Sequence, residues 1–135
     1  QQQPMQQPMM PPMMMEPIQQ QPMQPPMQQQ TQLSPLEQAR MAFYAGDFVA
    51  AEGLYQQVLQ QDKNPDIFGE LGNVYYAQQN WQAAAHSYAL AVDGLGYQGR
   101  FPEAQNLLGV VMQLNPELGN QVMSGLQQQM YPNAK

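Results

Sequence analysis

Apolar residues recur along residues 34–131 at spacings of three and four, the period of a helix with one buried side. The clearest stretch is Pro65–Val92. Phe68, Leu71, Gly72 and Tyr75 fall on one face of a first helix, and Trp81, Ala84, Tyr88, Ala91 and Val92 on one face of a second. A short polar turn between them predicts two antiparallel helices. Gly72 and Ala84 are small enough to let the axes approach closely.

The second-helix pattern occurs more than once. Phe48, Ala51, Tyr55, Val58 and Leu59 become Trp81, Ala84, Tyr88, Ala91 and Val92 on a shift of 33 residues, each matched in kind. A fixed offset of this sort is the signature of an internal repeat. The preceding helices match less well: 33 residues before Phe68, Leu71, Gly72 and Tyr75 stand Pro35, Gln38, Ala39 and Ala42, of which only Ala39 keeps its character. A third copy, Phe101, Ala104, Leu108, Val111 and Met112, follows the second at an offset of only 20. Asp93–Arg100 is too short for a full helix and its turns, so the third unit lacks a first helix of its own. A last amphipathic helix carries Leu118, Val122, Leu126 and Met130, which would cap the open end of the stack.

Helix boundaries are marked. Ser34-Pro35-Leu36-Glu37 reads as an N-cap, a first-turn proline and a capping box. Leu36, Ala39, Ala42 and Phe43 face inward from that helix, and Gly46-Asp47 ends it and caps the next. Asn64-Pro65-Asp66 and Asn115-Pro116-Glu117 open helices in the same manner.

These residues resemble the tetratricopeptide repeat (TPR), a helix-turn-helix unit of about 34 residues. The expected fold is all-α: a TPR-like solenoid of about six helices, preceded by an extended Gln/Met/Pro-rich arm. The expected division is an arm over 1–33 and a helical domain over 34–131. Its repeats would span about 34–64 and 65–93, with an irregular third unit and capping helix over 100–131. The resemblance implies that first helices line a concave groove where partner segments bind. Carried onto this chain, the groove comprises Leu36, Arg40, Phe43 and Tyr44, then Asp66, Asn73, Tyr76 and Ala77. Some TPR domains hold a terminal carboxylate through lysines and asparagines. Asn73 occupies one such position, but Leu36 and Gly69 stand where cations would be expected, so a carboxylate clamp is disfavoured. The groove instead suits a helix or a Pro/Met-rich strand.

Residues 1–30 are Gln, Met or Pro except Glu16 and Ile18. Proline this frequent stops a helix or a central strand, which predicts an extended, polyproline-like arm. Three readings stay open: a flexible spacer, an arm that orders against another subunit, and a soft-metal site. For the last, Met5, Met9, Met10, Met13, Met14 and Met15 could supply thioethers to Cu(I). Such tracts usually carry His or Asp among the methionines, and this one has neither. A Cu(I)-handling protein with a helical docking domain is thus the alternative function, and no resident cofactor is expected.

Only 10% of the 135 residues are charged, against about 25% in ordinary domains, and the net charge is −6. Arg40, Lys63, Arg100 and Lys135 are scattered, so no patch could neutralise a run of phosphates and nucleic acid is excluded as a partner. There is no cysteine for a disulfide or thiolate site, and no apolar run of the length needed to span a bilayer. The chain begins at Gln1 rather than Met, which reads as a processed product or a fragment. Low Lys, abundant Gln and absent Cys lean towards an exported bacterial envelope protein, in the periplasm or at the cell surface, over a cytoplasmic one.

Catalysis has no constellation to rest on. Gly94-Leu-Gly96-Tyr-Gln-Gly99 matches a dinucleotide-binding spacing, but that motif needs a preceding strand, and a helix precedes it here. It reads as a flexible turn with Gly94 as helix C-cap. His86 points away from the packed face, and neither Ser34, Ser87 nor Ser124 can be placed beside a histidine and a buried carboxylate. No pair of carboxylates sits on one helix face in an environment that would split their pKa values. The expected function is therefore a non-catalytic interaction scaffold, an adaptor or structural subunit of a larger assembly with protein partners. Sparse surface charge and exposed Tyr and Gln suit a buried interface.

Overall fold

A computed structural model describes residues 32–133. Everything expected of the first 31 residues, including the methionine cluster, lies outside them. The chain divides into two units between Ser34 and Pro35, and the helices belong to the second. They are α1 (Pro35–Tyr44), α2 (Phe48–Leu59), α3 (Pro65–Ala77), α4 (Trp81–Tyr97), α5 (Phe101–Leu114) and α6 (Pro116–Met130). The fold is all-α, with no strand among the described residues. Each helix packs on the next, and α4 also meets α6.

The caps follow from residue chemistry. Side-chain oxygens of Asp47, Asn64, Asn80 and Asn115 accept hydrogen bonds from the backbone N–H groups of Ala50, Asp66, Ala83 and Leu118. Each satisfies a donor that the helix start leaves orphaned. Three helix ends share one geometry. The N–H groups of Asp47, Asn80 and Arg100 reach back to the carbonyls of Ala42, Tyr75 and Leu95, each at 2.9 Å. The residues just before them, Gly46, Gln79 and Gly99, have φ of 82°, 61° and 74°. This is the Schellman turn, repeated at the same offsets of 33 and 20 as the apolar pattern.

Two apolar clusters form the core. One joins Ala39, Ala51, Tyr55, Leu59, Ile67, Leu71 and Val74 across α1, α2 and α3. The other joins Ala84, Tyr88, Val92, Leu95, Ala104, Leu108, Val111 and Leu126 across α4, α5 and α6. Tyr75 packs against both. α3 therefore buries two flanks rather than one, and Ile67 and Val74, which lie off the single stripe read from the sequence, are core.

Two expectations are corrected. Gly94 is not a C-cap: α4 runs on to Tyr97, and Gly99 takes the turn. Within the helix, Gly94 and Gly96 lie where other elements come close. A Cβ on Gly94 would stand 2.8 Å from Pro65, and one on Gly96 would strike Gln129 and Leu126 of α6. Trp81 is not core either. It is 45% exposed and meets Tyr76 edge-on, with ring centroids 4.9 Å apart. At the first helical position, beside the turn, its ring has no second layer to enter.

Candidate functional site

Asp66, Glu70 and Asn73 stand four and then three residues apart, so they form one stripe along α3. Helices on both sides reach this stripe. From α1, Arg40 donates through Nε and Nη2 to both Glu70 oxygens at 2.8 Å. From α2, the Tyr55 hydroxyl donates to Glu70 Oε1 at 2.7 Å. From α4, the Tyr88 hydroxyl donates to Asn73 Oδ1 at 2.7 Å. Arg100, at the start of α5, donates to both oxygens of Asp66 at 3.0 and 2.9 Å and also grips Glu103.

Two hollows lie over the stripe. One, of about 410 Å³, is lined by Arg40, Phe43, Tyr44, Tyr55, Glu70 and Asn73. The other, of about 280 Å³, is lined by Asp66, Gly69, Glu70, Asn73, Tyr88 and Leu95 among others. Sharing Glu70 and Asn73, they adjoin along α3, which floors both, and together they form the candidate groove. Phe43 packs edge-on against Tyr44 at 5.7 Å, and Tyr44 is 82% exposed.

The electrostatics are closed within the groove. Burial pushes the Glu70 carboxyl up, but hydrogen bonds from Arg40 and Tyr55 outweigh it and leave the carboxyl below its ordinary value. The Arg100 hydrogen bond holds Asp66 below its ordinary value against a smaller opposing effect of burial. Burial first, then the bond to Glu70, pushes the Tyr55 phenol well up, and burial pushes Tyr88 up to about 12. Both phenols are neutral donors at physiological pH.

Of the eight groove residues read from the sequence, the structure brings Arg40, Phe43, Tyr44, Asp66 and Asn73 around this floor. Leu36 packs half-buried into the α1–α3 cluster. Tyr76 lies against Trp81, and Ala77, at the exposed end of α3, lines neither hollow. Sequence reasoning missed Glu70, which accepts from both Arg40 and Tyr55. Its signal was present, since Glu70 lies one turn from both Asp66 and Asn73. Tyr55 and Tyr88 read as packing residues, and they are buried; only their hydroxyls reach the groove.

His86 is exposed on α4, beside a separate shallow hollow with Leu90, Asp93 and Val122. Among the described residues, no group of three or more His, Cys, Asp or Glu is placed to hold a metal, and no helix is long and apolar enough to cross a membrane. Neither a family model, nor a curated protein, nor a solved structure matches this chain.

Proposed function

We propose that the helices form a TPR-like scaffold and that the protein is a non-catalytic adaptor or structural subunit binding a protein segment in the α3 groove. The observation that carries this reading is the pair of adjoining hollows over Asp66, Glu70 and Asn73, which share Glu70 and Asn73 and are edged by Phe43 and Tyr44 at one end. Concave, largely pre-formed surfaces with a few placed polar groups are where ligands bind. The repeated Schellman turns and the 33-residue offset support a repeat architecture, which presents such surfaces. The ion pairs fix the floor rather than supplying reactive groups, since each carboxylate oxygen of Asp66 and Glu70 already accepts from an arginine.

The test is site-specific photocrosslinking in the native cells. A photoreactive phenylalanine replaces Tyr44, in the groove, or Val49, which is 77% exposed on α2 and lines neither hollow. Discrete protein adducts from position 44 and none from position 49 are expected. Equal labelling from both positions, or none from either, would sink the reading.

A further inference from the structure

Each side-chain acceptor on the groove floor already accepts at least one hydrogen bond, while several donors make none. Glu70 Oε1 accepts from Arg40 Nε and the Tyr55 hydroxyl, and Oε2 accepts from Arg40 Nη2. Both Asp66 oxygens accept from Arg100, and Asn73 Oδ1 accepts from Tyr88. That last bond fixes the amide orientation, leaving the two N–H groups of Asn73 Nδ2 without a partner among the described residues. Arg40 Nη1 and the Tyr44 hydroxyl also donate no hydrogen bond among them. Charge is balanced in the same way: two arginines face Asp66, Glu70 and Glu103, an excess of one acid.

A ligand that complements this surface supplies acceptors, brings few donors and carries no negative charge. A helix fails the first condition, because its carbonyls are spent internally. An acidic peptide fails the last, since each arginine is already matched and the surplus acid repels it. A proline-rich strand meets all three. Polyproline II has no internal hydrogen bonds, its carbonyls are exposed, and each proline lacks an N–H. Its pyrrolidine faces pack on aromatic rings, and Phe43 and Tyr44 supply rings at one end of the groove.

We infer that the groove binds an uncharged, proline-rich segment of a partner protein in the polyproline II conformation. Asn73 Nδ2, Arg40 Nη1 and the Tyr44 hydroxyl donate to its carbonyls, and the Phe43 and Tyr44 rings pack on its prolines. This inference rests on the groove being a protein-binding site and adds the chemistry of the partner.

The experiment is a titration of the full chain with end-blocked decaproline, followed by the NMR signals of the Asn73 side-chain amide and Arg40 Nε. End-blocked acidic and helix-forming peptides of equal length serve as comparisons. Saturable shifts at both groups with decaproline, and none with the other two, are expected. Asn73→Asp keeps an acceptor for Tyr88 while removing both donors, so it should weaken decaproline binding about tenfold, while the carboxylate it adds one turn from Glu70 lowers the unfolding midpoint slightly. Tyr44→Ala, on an exposed ring, should weaken it by a similar factor.

No shift with decaproline overturns the proline assignment. If the acidic or helical peptide shifts the signals instead, or if position 44 still crosslinks a protein, the groove remains a binding site and only the partner chemistry fails. If decaproline instead dissociates self-associated full-length protein, the occupant is a second copy's residues 1–30, and the assignment to a separate partner is overturned.

Discussion

Tyr55 and Tyr88 stand 33 residues apart in matching places of the repeat, yet they use their hydroxyls differently. Tyr55 reaches forward to Glu70 and Tyr88 reaches back to Asn73, so both end on α3. Tyr55 is 2% exposed and its hydroxyl meets a charged partner, so Tyr55→Phe should lower stability by about 1.5 kcal/mol, measured by urea unfolding. Glu70 makes the pH dependence directional. Its folded pKa lies below the ordinary 4.5, so its stabilisation is complete above that value. It is lost as pH falls through the lower folded value. Midpoints measured at successively lower pH should therefore drop in acid, and Glu70→Gln should flatten that drop. Gln79 has a φ of 61°, in the left-handed region that Gly46 and Gly99 occupy in the matching turns. Gln79→Gly should raise stability by about 1 kcal/mol, seen as a higher Tm; a lower Tm would mean the side chain contributes more than the strain costs.

Helix spacing at the element scale depends on which glycines face a neighbour. A Cβ on Gly72 of α3 would stand 2.5 Å from the Tyr88 ring of α4, while one on Gly53 of α2 meets nothing within 4 Å. The same substitution should thus have opposite signs. Gly72→Ala forces the ring or the helix to shift, at a cost of about 1–3 kcal/mol, and loosens the Tyr88–Asn73 bond with it. Gly53→Ala should stabilise by about 0.5–1 kcal/mol through helix propensity alone. Paired denaturation curves decide this. A gain at both positions would show that α3 and α4 lie further apart than described. α5 and α6 depend on Gly119 in the same way, because its Cβ would meet the Met112 backbone at 2.9 Å.

Burial across the whole helical unit is uneven. α4 buries Ala84, Ala85, Tyr88, Ala89, Ala91, Val92 and Leu95 against α3, α5 and α6, whereas α1 buries only Ala39. Local opening follows such differences in buried contact. Amide exchange should therefore be fastest in α1 and slowest in α4, with intermediate protection in α3. Uniform protection would indicate a single cooperative unit in which the α1–α3 core is as stable as the α4–α6 core. If a partner segment binds the groove as proposed, it orders the weaker end, since Arg40, Phe43 and Tyr44 all lie on α1. A saturating ligand should slow exchange there first.

The sequence by itself determined the helices, because a period near 3.6 and a cap chemistry of Asp47, Asn64, Asn80 and Asn115 are local properties. It also determined the repeat offset, which the turns at Gly46, Gln79 and Gly99 share. Part of the groove was legible too, since Asp66 and Asn73 lie on one face of a helix whose direction was known. What required the tertiary structure was every relation between helices. Two buried flanks on α3 arise only once α2 and α4 are both in place, which is why Ile67 and Val74 escaped a single-stripe reading. Gly94 could be judged a helix residue and not a cap only after Pro65 was found against it. The hydrogen bonds of Glu70 come from residues 30 and 15 positions earlier, a distance in sequence over which periodicity carries no information. Periodicity reports which way a side chain leaves its own helix, and packing decides what it meets.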